Sequence, residues 1–276
     1  MNTRTLAEIS EKHFERIKNM SLKSEAFSNS INQYLNYTEM PWGKLFYLTA
    51  WSQIENYIRE NNQTILDIGC GFGISSIEFA RRGNKVKGID PTLEMIEIAK
   101  KQASEMKVDI EFSVTDFQGT VDLLEQYNWV FCHNILEYLE NPEEFIKSIS
   151  KIQHQGHFLS LIAHNPAAKV MKKAIINKDP EGALDSVNNY QEYSGIIQTN
   201  ITTYSLDHLG VMLEESGYEI QGRYGIHNIY GYISDNEIKH DINWHNKTVK
   251  LELELGEKSP YRDIAVFTHI IARKKS

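Results

Sequence analysis

The sequence predicts an α/β protein built on a doubly wound, mostly parallel sheet of seven strands, with a helical N-terminal cap and an insertion after the fifth strand. Three observations carry this expectation. Short β-rich runs alternate with helical periodicity between residues 64 and 163, the pattern of strands joined by crossover helices. The first run ends in ILDIGCGFG, where glycines recur at every second position before an apolar-periodic helix begins. The last two β-rich runs lack the full crossover helix typical of the first half and read as a closing hairpin-like pair.

The cap spans residues 1–60, with helical periodicity interrupted near Met40-Pro41-Trp42-Gly43 and a crowd of aromatics: Tyr34, Tyr37, Trp42, Phe46, Tyr47 and Trp51. The main domain, 61–276, opens with a strand from Thr64 to Ile68, then a helix from Phe72 to Arg82 closed by Gly83. Lys85 to Ile89 is the second strand. Leu93, Ile96, Ala99, Ala103 and Met106 mark one face of the next helix. Ile110–Val114 and Trp129–Cys132 are strands with a short helix between them, and a helix from Pro142 to Ile152 leads to the fifth strand, Phe158–Ala163. From Asn165 to Thr203 the alternation pauses in a polar, mainly helical insertion. A helix capped by Ser205 and closed by Gly217 precedes the strand Tyr218–Tyr224. An amphipathic helix around Thr248–Leu255 and the strand Ile264–Ala272 finish the chain.

With 276 residues, 41% apolar, the chain can bury a sizeable core as one elaborated domain. A net charge of −8 argues against a large nucleic-acid footprint, though not against a local basic patch. Cys70 and Cys132 are too few for a disulfide framework and suit a reducing compartment. The N-terminus carries no apolar stretch behind its basic residues, and no apolar run approaches the length of a membrane span. The expectation is a cytoplasmic protein without a membrane partner.

A strand that ends in glycines and opens into a helix is an anion or nucleotide site: the glycines allow a tight turn and close approach, and the helix start supplies free N–H groups. A triphosphate-cradling loop needs Gly-Lys-Ser or Gly-Lys-Thr, whereas Gly73 is followed by Ile74-Ser75-Ser76. The dinucleotide fingerprint needs its third glycine one residue later than Gly73, so that reading is weakened. Asp67, just before the glycines, would repel a pyrophosphate but welcomes the ammonium and sulfonium of S-adenosylmethionine (SAM). Asp90 ends the second strand, where it can accept both ribose hydroxyls. Asp116 ends the third and can take an adenine amino group, with Phe117 or Met95 on the ring face. Asp90 before Pro91 or Asp116 alone could be a helix cap; three acids at successive strand ends favour SAM.

These motifs resemble class I SAM-dependent methyltransferases, a Rossmann-like family marked by an acid before G-x-G-x-G and an acid ending the next strand. The resemblance implies a cofactor turn of Asp67, Gly69, Cys70, Gly71 and Gly73, with Asp90 and Pro91 at the ribose, and Asp116, Phe117 and Met95 at adenine. It places His133 near the reacting centre. A closer resemblance, over most of the chain, is to bacterial tRNA methyltransferases that esterify 5-carboxymethoxyuridine. It rests on His133 through Leu136-Glu137-Tyr138 to Asn141-Pro142, Leu159-Ser160-Leu161 with Asn165, Leu251-Glu252-Leu253-Glu254, Pro260-Tyr261 and Ala272-Arg273-Lys274. Trp42-Gly43-Lys44-Leu45-Phe46 and His227 stand where that family carries basic residues, which bears on the tRNA acceptor more than on the chemistry.

Methyl transfer asks the protein mainly for in-line geometry. A carboxylate acceptor needs no base, while a hydroxyl or carbon acceptor usually does, and His133 and His164 are the candidates. His154 and His157, beside Gly156, read as solvated, and no metal site is expected. Tyr37 and Lys44 are candidates in a lid, Lys44 for the SAM carboxylate. Residues 165–203 are expected to wall the acceptor site, with Lys169, Lys172, Lys173 and Lys178 available to an anion. The acceptor is then a tRNA or a small carboxylate or hydroxyl metabolite; a non-catalytic SAM- or dinucleotide-binding protein is the remaining alternative.

Overall fold

A computed structural model describes residues 26–58, 61–117 and 126–275. The first part of the expected cap, residues 1–25, and the short helix expected between the third and fourth strands lie outside the described residues.

The described cap is a pair of helices, α1 (Ile31–Glu39) and α2 (Pro41–Glu55). The break between them follows from Pro41: the residue before a proline avoids helical backbone, and Met40 is extended, with ψ 156°. The helices then cross closely at Gly43, where a β-carbon would lie 2.1 Å from the carbonyl oxygen of Tyr37.

The sheet begins with β1 (Thr64–Ile68), followed by α3 (Ile74–Arg81), β2 (Lys85–Asp90), α4 (Leu93–Glu105) and β3 (Glu111–Val114). It continues with β4 (Trp129–His133), α5 (Pro142–Lys151) and β5 (Phe158–His164). The insertion contains α6 (Pro166–Met171), α7 (Pro180–Ser186) and the strands β6 (Gln191–Ser194) and β7 (Thr199–Thr202). Last come α8 (Leu206–Glu215), β8 (Tyr218–Ile226), α9 (Ile242–Gly256) and β9 (Phe267–Lys274). The seven-stranded sheet has the order β3-β2-β1-β4-β5-β9-β8. β9 runs antiparallel between β5 and β8, and the strands from β3 to β5 are parallel.

Both faces of the sheet are covered because successive side chains point to opposite sides. Leu66, Ile68, Val130, Cys132 and Leu161 pack with Ile146 and Ile149 of α5 and with Leu209 and Leu213 of α8. Ile65, Trp129, Phe131 and Ile271 face the other way, against Ile54 of α2 and Phe79 of α3. None of the described helices is long and apolar enough to cross a membrane.

The last strand begins at Phe267, not Ile264, which lies in a short 3-10 turn, and three further elements differ from their sequence expectation. The helix after the glycines starts at Ile74 instead of Phe72, because Gly71 and Gly73 take positive φ values of 53° and 72° and keep the chain in a turn. The last helix extends back to Ile242, where Asp241 caps it by accepting from the Trp244 N–H at 2.8 Å. The insertion, expected as mainly helical, contains the antiparallel hairpin β6–β7. Its residues are largely polar and partly exposed, so it lacks the apolar face that would have announced strands.

Candidate active site

β1 and β4 are neighbours, but the chain leaves β1 toward β2 and β3 and leaves β4 toward β5. The strand order therefore reverses between them, and a crevice opens at their C-terminal ends. Here the cap and the insertion enclose a cavity of about 730 Å³. Of the residues singled out in the sequence, Gly69, Gly71, Asp90, Pro91, Met95, Asp116, Phe117, His133 and His164 line it together.

The glycine turn is held from below. Asp90 Oδ2 accepts from the Gly71 N–H at 3.1 Å, and Oδ1 accepts from the Thr92 N–H at 2.8 Å. At Gly73 a β-carbon would lie 2.7 Å from Phe112 Cζ and 3.1 Å from Ala99 Cβ, so glycine lets the turn pack this close to β3 and α4. Asp67, Cys70 and Gly73 belong to this underside and do not line the cavity. Asp67 accepts from Ser76 Oγ at 2.5 Å and braces the start of α3. Burial raises its carboxyl to about 7, with Asp90 adding to the rise. Asp90 is itself raised, chiefly by burial. No basic side chain pairs with either acid among the described residues. The turn therefore favours cations and hydroxyl donors and disfavours phosphate, which fits SAM.

Lys44 departs from its expected role. It is exposed on the outer side of α2, does not line the cavity, and adds to the lowering of His245 that burial begins. Tyr37 does line the cavity, with Phe27, Tyr34 and Tyr47. Tyr34 and Tyr47 meet through their hydroxyls at 3.3 Å, and Tyr34 leans on Phe72 with ring centroids 5.2 Å apart. The cap thus lays an aromatic roof over the glycine turn.

The histidines divide by environment. His133 ends β4 in a buried chain of hydrogen bonds, and burial pushes its imidazole down to about 3, too low for a general base at neutral pH. His164 ends β5 with a carboxylate behind it. Glu137, fully buried, accepts from His164 Nδ1 at 3.0 Å and from the His164 N–H at 2.8 Å through the same oxygen. That donation keeps the proton on Nδ1 and leaves Nε2 as the basic nitrogen. Glu137 had no place among the site residues read from the sequence; it entered there only within the Leu136-Glu137-Tyr138 stretch that carries the closer resemblance. His154 and His157 sit at the far end of the sheet, their rings 5.7 Å apart.

The insertion supplies the opposite wall. Of its lysines only Lys172 lines the cavity. Lys169 Nζ donates to the Gln191 carbonyl at 2.5 Å, Lys173 Nζ to the Gly182 carbonyl at 3.1 Å, and Lys178 is exposed. A second lysine, missed in the sequence, joins Lys172: Lys239, held by Asn236 Oδ1 at 3.0 Å and lying over the rings of Trp42 and Tyr230. Burial lowers both lysines, opposed by the charge of Glu192 at Lys172 and of Asp235 at Lys239, and neither forms a salt bridge among the described residues. His227, pushed down to about 3 by burial, lies near both and donates through Nε2 to the Trp42 carbonyl at 2.9 Å. Ser194, Ile196 and Ile197 of the hairpin close the wall.

Comparisons with known proteins agree with this arrangement. The methyltransferase domain family matches residues 65–156, from the first strand to the turn before the fifth. The tRNA 5-carboxymethoxyuridine methyltransferase of Escherichia coli (strain K12) is 24% identical over 244 residues, covering 84% of this chain and 89% of that protein. The ubiquinone biosynthesis O-methyltransferase of Aeromonas salmonicida is 36% identical over 110 residues, covering 39% of this chain and 46% of that one. Among solved structures, magnesium protoporphyrin IX methyltransferase from Synechocystis PCC 6803, with bound S-adenosylhomocysteine (SAH), superposes with a TM-score of 0.58 at 14% identity over 93% of this chain and 100% of that one. The plantazolicin methyltransferase in complex with SAH gives 0.57 at 19% identity over 98% and 100%. Residues 65–156 match a methyltransferase domain and the fold is that of class I methyltransferases, which makes this chain a SAM-dependent methyltransferase.

Proposed function

We propose that the chain methylates a carboxylate oxygen, forming a methyl ester, and that the first candidate acceptor is the carboxyl group of 5-carboxymethoxyuridine in tRNA. The observation that carries this reading is the pair Lys172 and Lys239: two cations at the cavity wall that burial destabilises and that form no salt bridge among the described residues. A buried lysine without a partner is costly, and an anionic ligand relieves that cost. The E. coli relative supports the tRNA base, since its name states that acceptor and the match spans most of both chains.

Bound SAM supplies the electrophilic methyl group. The chain's own part is to place Gly69, Gly71 and Asp90 under the cofactor and to hold the acceptor carboxylate with Lys172 and Lys239. Tyr34, Tyr37 and Tyr47 help to keep water out. A carboxylate is already deprotonated at neutral pH, so the low basicity of His133 is no obstacle.

The His164–Glu137 pair favours a second reading, a hydroxyl acceptor whose proton passes to His164 Nε2. One experiment separates the two. Purified protein is incubated with methyl-labelled SAM and either bulk tRNA or an acidic metabolite extract, both from cells lacking this gene. Label in tRNA that is released by mild alkali supports the ester and the nucleoside acceptor. Alkali-labile label confined to small acids supports the ester and removes tRNA. Alkali-stable label overturns the carboxylate reading in favour of the hydroxyl.

A further inference from the structure

A buried chain of four side chains runs from α2 through the sheet to the cofactor half of the cavity. It consists of Gln53, His269, Ser160 and His133. Its hydrogen-bond directions can be assigned from one end to the other. Gln53 Nε2 donates to the Gly225 carbonyl at 3.1 Å, which turns its Oε1 toward His269. A carbonyl oxygen only accepts, so His269 Nδ1, 2.6 Å away, carries the proton. In a neutral imidazole the other nitrogen is then bare, and His269 Nε2 accepts from Ser160 Oγ at 2.9 Å. Ser160 has one hydroxyl proton and has spent it, so its oxygen must accept from His133 Nε2 at 2.8 Å. His133 therefore carries its proton on Nε2, and its Nδ1 is left with a lone pair.

The remaining premise is that both rings are neutral. His133 and His269 are buried and hydrogen-bonded to one another through Ser160, and no carboxylate pairs with either ring among the described residues to stabilise a second proton. Burial holds His133 near 3 and His269 well below the usual histidine range.

We propose that this chain serves to fix the tautomer of His133, so that a bare Nδ1 acts as a hydrogen-bond acceptor for the ammonium group of bound SAM. His133 lines the cavity at the end of β4, beside Gly69 at the end of β1, and Nδ1 has no protein partner among the described residues. A second observation points to the same kind of ligand. Asn134, the next residue, also lines the cavity, and its Oδ1 is buried with no hydrogen-bond partner among the described residues. Two orphan acceptors on the wall of one cavity ask for a ligand rich in N–H donors, and an ammonium supplies three. The cavity is then divided by charge, with acceptors in the cofactor half and Lys172 and Lys239 in the other. His133 contacts the cofactor. Ser160, His269 and Gln53 are positioning residues that act through it.

The inference concerns the cofactor side and stands whether the methyl acceptor is a carboxylate or a hydroxyl. Its test uses the full chain, nitrogen-15-labelled at histidine, by NMR with and without SAH, and calorimetric titration with SAH. The expected spectra show protonated Nε2 and bare Nδ1 for His133 and the opposite tautomer for His269, with the His133 Nδ1 signal moving on SAH addition. Ser160→Ala breaks the chain and frees His133 to choose its tautomer. It should weaken SAH binding about tenfold, the loss of one hydrogen bond to a charged group. The acceptor KM at saturating SAM should not move, and a merely structural role for Ser160 would not produce that split. His133→Asn, whose amide oxygen can stand near Nδ1, should keep more SAH affinity than His133→Gln. A His133 protonated on Nδ1 would overturn the proposal, as would Nδ1 unmoved by SAH. Unchanged SAH affinity in a Ser160→Ala protein whose His133 tautomer has shifted would overturn it too. Should Ser160→Ala fail to fold, the wild-type spectra alone decide.

Discussion

Replacing Asp67 with asparagine should stabilise the cofactor-free protein, and by an amount that depends on pH. Asp67 is buried under the glycine turn and accepts from Ser76, with no cation beside it. Its carboxyl titrates at about 7 in the folded chain against 3.8 ordinarily. Between those values the folded state holds a proton that the unfolded state has lost, so the contribution of this group to stability falls as pH rises and levels off above about 7. At about 1.4 kcal/mol per pH unit, the full gap between 3.8 and about 7 is worth about 4 kcal/mol. Asparagine keeps an oxygen for the Ser76 hydroxyl and never ionises. Its advantage should be about 2 kcal/mol near pH ~5 and about 4 kcal/mol near pH ~8. Urea unfolding of both proteins at the two pH values, fitted with a common slope, measures the difference. An equal gain at both would refute the reasoning, because a pH-independent offset has no ionisation in it. Saturating SAM should shrink the gain at the higher pH, since a nearby positive charge stabilises ionised Asp67 and is lost on asparagine.

Further outcomes follow from the other wall and from the turn. Lys172→Met with Lys239→Met should raise the KM for a carboxylate acceptor more than tenfold and leave SAH affinity unchanged by calorimetry, since each lost charged hydrogen bond costs about 1.5–3 kcal/mol. His164→Asn should leave carboxylate methylation within a few-fold of wild type. For a hydroxyl acceptor it should cost about 10²–10⁴ in kcat. Gly73→Ala should destabilise the protein by about 1–3 kcal/mol in urea, because the residue combines a positive φ of 72° with a β-carbon 2.7 Å from Phe112.

The parallel core was legible because each strand from Thr64 to Ala163 is short and β-rich, and β1, β2, β4 and β5 are each followed by a helix of its own period. That local alternation permits few topologies. The glycines and Asp90 were legible for the same reason: strand, turn and helix start are contiguous, so sequence spacing alone puts Gly69, Gly71 and Asp90 at one edge. Contiguity also misled. Asp67 precedes the glycines and reads as a cavity acid, yet strand alternation turns its side chain under the turn toward Ser76. Lys44 sits among the lid aromatics in sequence, but on a helix its neighbours point elsewhere, and it faces solvent.

What only the tertiary structure decided are the pairings between residues far apart in the chain. Glu137 meets His164 across the ends of two strands, Lys172 and Lys239 line one cavity from helical segments far apart in the chain, and Gln53 reaches His269 from the cap. Local pattern carries backbone conformation, because propensity and periodicity act over a few residues. The charge, tautomer and basicity of a buried group are set by whatever packs against it, and those neighbours come from anywhere in the sequence.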